Sequence, residues 1–207
     1  MIIISAVLVV VAVAFSLWRE EGRGLWLPAL AALWFLAVVQ FFRDPSRATP
    51  AGERLIIAPA DGKVMAAGAA VDSPLSPSGQ CVSIFMSPLN VHVNRAPVSG
   101  RVTEKIHRKG RFLSAFKAQA GRENEQTLLV LETAFGAVAM KQVAGFLARR
   151  IICHPNPGDQ LAAGARLGMI RFGSRVDLFL PGQAALRVRV GDRVKAGETI
   201  VGVFENV

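Results

Sequence analysis

Ser174 follows Gly173 in Arg171-Phe172-Gly173-Ser174-Arg175-Val176-Asp177, between two apolar segments that read as strands. A serine hydroxyl is a nucleophile once a base takes its proton, and a bare Gly-Ser pair is also an ordinary turn. His92 lies in Asn90-Val91-His92-Val93, where period-two alternation puts Val91 and Val93 on one face and His92 on the other. A histidine titrates near neutral pH and can move a proton in either direction; the same ring can instead be a structural donor to backbone. Asp61 precedes Gly62, a pair that also makes a plain turn. Arg149-Arg150 and Arg108-Lys109-Gly110-Arg111 suit bidentate contact with a phosphate, or simple solvation. Cys153-His154, taken with Cys81, His92 or His107, lacks the regular ligand spacing of a zinc site, so no metal is expected.

These residues need strands to hold them. From Leu55 onward short apolar runs alternate with Gly, Pro, Asn and Asp. Leu55–Ala58, Cys81–Met86, Thr127–Glu132, Val138–Val143, Leu186–Val190 and Thr199–Phe204 have strand lengths. Phe112–Gln119 reads as helical or irregular, and Asp72–Gly79 as a surface loop. Two segments repeat. Gly158-Asp159-Gln160-Leu161-Ala162-Ala163-Gly164 and Gly191-Asp192-Arg193-Val194-Lys195-Ala196-Gly197 share a turn, a half-buried residue and a second turn, each followed by an apolar strand. Flattened barrels of the lipoyl or biotinyl type are built from such hairpins. Ala58-Pro59-Ala60-Asp61-Gly62-Lys63-Val64 fits the same architecture. The fold class expected for residues 43–207 is therefore mainly β, a barrel-sandwich of biotinyl-like hairpins.

Residues 1–42 differ in kind. Ile2–Trp18 and Leu25–Phe42 carry no charge and are joined by the short polar link Arg19–Gly24. Each run is near the lower limit of about 17 residues for a bilayer span, and Trp18 and Trp26 stand at run ends, where indoles favour the interface. A two-helix membrane hairpin, spanning or deeply inserted, is expected. Arg43 and Arg47 against the single Asp44, with a basic domain beyond, place that domain in the cytoplasm by the positive-inside rule. The chain has 207 residues, of which 52% are hydrophobic and 19% charged, so disorder is excluded for most of it. Two cysteines cannot form a disulfide framework. The formal net charge of +9 falls entirely on residues 43–207, because the hairpin's two arginines and two glutamates cancel. An anionic membrane surface is the expected partner. Nucleic acid is not, since the basic residues are scattered and form no recognisable motif.

Phe172-Gly173-Ser174-Arg175 resembles the self-cleavage motif of the pyruvoyl-dependent phosphatidylserine decarboxylases in their short prokaryotic form. Phe41-Phe42-Arg43-Asp44-Pro45 is similar to that family's exit from the membrane, Ala58–Val64 to its Asp motif and Ser83–Arg95 to its His motif. Glu123-Asn124-Glu125 and Ala144–Arg150 complete the likeness, which runs from about Phe41 to Val207. The resemblance implies cleavage between 173 and 174, giving a large chain 1–173 and a small chain 174–207 that stay associated. The Ser174 hydroxyl would attack the Gly173 carbonyl, and β-elimination and hydrolysis would leave a pyruvoyl group as a cofactor made from Ser174. That ketone would form a Schiff base with phosphatidylserine, lose CO₂ and yield phosphatidylethanolamine. Ser174, His92 and Asp61 are the implied catalytic residues. His92 would deprotonate Ser174 or protonate the decarboxylated carbanion, and Asp61 would orient a histidine or help activate Ser174. Longer members carry a second histidine, associated with self-cleavage, where this chain has Arg95, which is no base at neutral pH. Arg149 and Arg150 would hold the lipid phosphate. Whether the protein forms a homo-oligomer is left open.

Two rivals are set against this. One is a non-catalytic barrel adaptor anchored by the hairpin. The other is a biotinyl or lipoyl carrier, because Ala139-Met140-Lys141-Gln142 resembles a biotin-attachment sequence that lacks its second methionine.

Overall fold

The two uncharged runs form helices α1, Ile2–Trp18, and α2, Trp26–Phe41, which pack against each other. The structure is a computed structural model and describes residues 1–18, 26–76, 78–117, 119–146, 150–171 and 174–205, with the side chains of 17 and 18 set aside. The expected link 19–24 lies outside the described residues. Apolar side chains point outward around both helices: Ile3, Ile4, Val10 and Val11 on α1, and Leu30, Leu33, Trp34 and Leu36 on α2, are exposed. At about 1.5 Å per residue each helix is roughly 24–26 Å long, against ~30 Å of hydrocarbon. Among the described residues, no helix is long and apolar enough to cross a membrane. Of the expected hairpin, spanning or deeply inserted, the spanning alternative is corrected to that extent; the uncharged runs stop at Arg19 and Arg43.

Met1–Asp44 forms one compact unit and Pro45–Val207 another. The second unit is mainly β, with fourteen strands among the described residues. In chain order they are β1 Leu55–Ile57, β2 Gly62–Ala69, β3 Gln80–Met86, β4 Val93–Arg95, β5 Gly100–Arg108, β6 Gln126–Thr133 and β7 Gly136–Val143. There follow β8 Ile151–Cys153, β9 Gln160–Leu161, β10 Arg166–Ile170, β11 Ser174–Leu180, β12 Ala184–Leu186, β13 Arg193–Val194 and β14 Ile200–Phe204. A single-turn helix α3, Ala120–Glu123, sits between β5 and β6. An eight-stranded sheet runs β13-β2-β3-β11-β7-β6-β5-β9, accompanied by the three-stranded sheets β1-β14-β12 and β4-β10-β8. Every ladder pairing is antiparallel.

Strand β11 is central and buried on both faces. Ser174, Val176, Leu178 and Leu180 share one face with Met86, Ile84 and Val82 of β3 and with Met140 of β7, and that face is the apolar core. Two expectations are corrected here. Ser174 is not in a connection between strands but is the first residue of β11. The expected strand Leu186–Val190 stops at Leu186, because the chain turns into the Asp192 hairpin and leaves Val190 exposed.

The internal repeat is structural. Gly158 and Gly164 have φ of +99° and +79°, and Gly191 and Gly197 have +103° and +76°. These are left-handed conformations that glycine adopts without strain. Asp159 accepts the Asn156 N–H at 2.8 Å, and Asp192 accepts the Arg189 N–H at 2.8 Å. Each copy binds its own partner segment: Gly164 N–H donates to Ala96 O at 2.8 Å, and Gly197 N–H to Ala58 O at 2.9 Å. The partners repeat as well, since Ala96-Pro97-Val98-Ser99-Gly100-Arg101-Val102 parallels Ala58–Val64. Ser99 Oγ accepts the Ala163 N–H at 2.9 Å, just as Asp61 Oδ1 accepts the Ala196 N–H at 2.8 Å.

Candidate active site

Pairing fixes Ser174 at the head of β11, opposite Met86. Its side chain has no solvent exposure, and among the described residues Oγ has no hydrogen-bond partner. Gly173 and Phe172 lie outside the described residues. A buried hydroxyl with nothing to bond is costly, so the position has to be explained by something other than stability.

The layer over Ser174 is built from amides. Asn94 donates from Nδ2 to Met86 Sδ at 3.6 Å and accepts from Gln142 Nε2 at 2.8 Å. Met86 lies on β3 and Gln142 on β7, the two strands that flank β11, so the Asn94 side chain bridges across β11 near its Ser174 end. Asn94, Gln142 and Met86 are all buried. His92 stands two residues before Asn94, just ahead of β4, and is fully buried. Its Nδ1 is 2.9 Å from Asn90 O. A carbonyl can only accept, so Nδ1 carries the proton of the neutral ring and Nε2 keeps the lone pair. The Asn90 carboxamide secures that loop by accepting from Ser87 N–H at 2.9 Å and Ser87 Oγ at 2.7 Å.

Asp61 is anchored elsewhere. Arg47 Nη2 bonds both carboxylate oxygens at 2.9 Å, and the Ala196 N–H bonds Oδ1. The turn it fixes supplies Pro59 O, which accepts the Arg95 N–H at 2.9 Å. Asp61 thereby holds the segment that carries His92 and Asn94. Arg95, at the second-histidine position, donates to Gly164 O at 3.1 Å and Pro45 O at 3.2 Å.

The opposite face of β11 is charged. Arg175 donates from Nη2 to Asp177 Oδ2 at 3.0 Å and pairs its Nε with Oδ1 at 2.9 Å, and Ser83 Oγ donates to Asp177 Oδ1 at 2.7 Å. Lys141 Nζ lies 3.8 Å from Asp177 and donates to Gly121 O at 3.0 Å. Two cations and a hydroxyl compensate the buried carboxylate. Arg175 Nη1 also reaches Ala115 O and Lys117 O at 3.4 Å, so the residue next to Ser174 is clamped from behind. This cluster lines a cavity of about 660 Å³ with Met65, Cys81, Phe116 and Phe179. Burial lowers the Lys141 pKa, opposed by Asp177. Burial, with the Asp177 charge, pushes the Cys81 thiol up to about 11. Because the thiolate is the reactive form, Cys81 should be alkylated by iodoacetamide at pH 8 far more slowly in the folded protein than in urea. Mass spectrometry of the labelled peptide checks this, and equal rates would contradict it.

A sequence profile described as phosphatidylserine decarboxylase matches residues 34–202. The chain belongs to the phosphatidylserine decarboxylase family. It is 51% identical over 170 residues to a phosphatidylserine decarboxylase proenzyme of Geotalea uraniireducens (strain Rf4), covering 82% of this chain and 80% of the relative. The proenzyme of the same name from Geobacter metallireducens is 50% identical over 170 residues, with 82% and 78% covered. That of Citrifermentans bemidjiense is 46% identical over 185 residues, with 87% and 84% covered.

Against this family background, the site residues read from the sequence separate into groups. Ser174 and His92 are both fully buried, and the Asp61 turn is tied by backbone to Arg95, in the segment that carries His92. Arg150 is exposed, with its carbonyl accepting the Arg171 N–H at 3.2 Å; Arg149 lies outside the described residues. Lys141 is not on a hairpin tip. It sits inside β7 with its amine against Asp177 and Gly121, which removes the attachment point a carrier needs. Sequence reasoning missed Asn94, Gln142, Arg175 and Asn124. Asn124 is buried and ties Leu113 to Ala144 through Nδ2 bonds of 2.8 Å to each carbonyl. The two-residue spacing of Asn94 from His92 was the available signal.

Proposed function

We propose that this protein decarboxylates phosphatidylserine to phosphatidylethanolamine, using a pyruvoyl group that it makes from its own Ser174. The observation that carries the reading is the Ser174 hydroxyl, buried without a hydrogen-bond partner among the described residues, at the head of β11 in a chain of this family. A residue kept for chemistry tolerates that cost; a residue kept for stability does not. The precursor hydroxyl attacks the Gly173 carbonyl carbon, converting the amide to an ester. Loss of the Ser174 Cα proton expels the Gly173 carboxylate, and water then releases ammonia. The chain is left as 1–173 and 174–207.

The position suits the resulting ketone. It is fully buried, with Met86 and Gln142 on the flanking strands linked through Asn94, while the Arg175–Asp177 pair holds the next residue in register. When present, the pyruvoyl group supplies a carbonyl that captures the substrate amine and accepts the electrons released with CO₂. His92 is the proton-transfer group, with Nε2 as its basic nitrogen. Asp61 is a positioning residue that acts through Pro59 and the 91–95 segment. Arg149 and Arg150 contact the lipid phosphate.

The duplicated hairpins support a barrel-sandwich of the biotinyl-like class for residues 43–207. The hairpin of α1 and α2, apolar on all sides, is a membrane-embedded anchor, since such a helix needs an apolar surround. The basic domain beyond it lies on the cytoplasmic face of the cell membrane, drawn to anionic lipid. Two exposed apolar residues add to this. Leu89 follows β3 and Phe146 follows β7, and both loops leave these strands at the Ser174 end of β11.

Purified protein given phosphatidylserine in mixed micelles should release CO₂ and form phosphatidylethanolamine in equal amounts. Retention of all the phosphatidylserine by a folded preparation would contradict the reading.

A further inference from the structure

One buried acceptor near Ser174 has no work in the fold. Gln142 is 1% exposed, and among the described residues its Oε1 has no hydrogen-bond partner. Its orientation follows from its neighbours. A thioether cannot donate, so Asn94 turns Nδ2 to Met86 Sδ and Oδ1 to Gln142. Gln142 must then present Nε2 to Asn94, which turns Oε1 away from Asn94 into the buried layer. Register puts that layer beside Ser174. Gln142 pairs with Val176, two residues along β11 from Ser174 on the same face. Diagonal neighbours of this kind are roughly 7–8 Å apart at the backbone, within reach of a long side chain. Two unsatisfied atoms, a hydroxyl donor and a carbonyl acceptor, therefore stand on adjacent strands of one dry face.

We infer that Gln142, oriented by Asn94, is a positioning residue for the group at 174. In the precursor its Oε1 accepts the Ser174 O–H. This fixes the hydroxyl rotamer and leaves an oxygen lone pair free for the Gly173 carbonyl. An amide oxygen is too weak a base to keep the proton, which ends on the Ser174 nitrogen as the Oγ–C bond forms and the Gly173–Ser174 C–N bond breaks. The contribution of Gln142 is orientation, realised before any cofactor exists. The inference rests on the self-cleavage reading.

The test follows freshly synthesised full-length precursor by gel over time, with hydroxylamine added to parallel samples to cut any ester. Wild type, Gln142→Leu, Gln142→Glu and Asn94→Ala are compared, with thermal unfolding of each. Gln142→Leu should slow cleavage by about 10–100-fold, as misplacement of a reacting group does, and should show no hydroxylamine-sensitive ester. Gln142→Glu keeps an acceptor, and as the neutral acid that burial favours it also donates to Asn94 in place of Nε2, so it should cleave at close to the wild-type rate. Asn94→Ala releases the carboxamide and should fall between. A wild-type rate in Gln142→Leu, or equal slowing in the Leu and Glu variants, overturns the inference. If Gln142→Leu does not fold, a wild-type rate in Asn94→Ala overturns it instead. Failure of the wild-type chain to cleave would sink the self-cleavage reading itself, a separate outcome.

Discussion

Ser174→Ala leaves a single uncleaved chain of 207 residues and reduces decarboxylation to background. The substitution removes one atom, and that atom has no hydrogen-bond partner among the described residues. Relief of the hydroxyl's desolvation is offset by loss of the bond inferred to Gln142 Oε1, so the net change in stability should stay within about 1 kcal/mol. The variant is therefore expected to unfold close to the uncleaved wild-type chain while doing no chemistry. Gel analysis, thermal unfolding and a phosphatidylethanolamine assay on one preparation check all three points. Cleavage at the same bond in this variant would remove Ser174 from its role.

His92→Ala should lower kcat by about 10²–10⁴-fold, the usual contribution of a positioned acid or base. The ring is fully buried and its Nδ1 is 2.9 Å from Asn90 O, so proton transfer is assigned to Nε2. His92→Gln separates packing from proton transfer. Glutamine fills most of the volume and can still bond Asn90 O, but it cannot exchange a proton near neutral pH. Both variants should bind substrate with little change in KM and lose turnover together. Recovery of near-normal kcat in His92→Gln would assign the ring a structural role.

Parts of this architecture are legible in the sequence because short apolar runs of strand length stand between turn residues. Cys81–Met86 and Thr127–Glu132 are of that kind, and they lie within β3 and β6. The uncharged N-terminal runs end where α1 and α2 end, within a residue. Strand β11 is harder to read. Ser-Arg-Val-Asp looks like a turn, yet all seven residues of β11 are buried because Arg175 and Asp177 neutralise each other on the back face. Strand β5 is masked by the charges of its solvent face, among them Arg101, Glu104 and Arg108. The second copy of the Asp61 segment escapes notice because Ser99 replaces the aspartate while keeping its hydrogen bond.

The site divides along similar lines. Ser174, His92 and Asp61 stand in contiguous motifs that a resemblance can reach. Asn94 and Gln142 acquire meaning only when β3, β11 and β7 are in register, which joins residues nearly fifty positions apart. A glutamine in Val-Ala-Met-Lys-Gln-Val carries no local sign that it will face a buried hydroxyl.

The most direct measurement is the intact mass of the small chain from purified, mature protein. The account predicts a fragment spanning 174–207, lighter by one ammonia than the same peptide beginning with serine, and closed to stepwise degradation from its N-terminus. A fragment that starts with a free serine amine, or a chain of full length with no fragment at all, would contradict it.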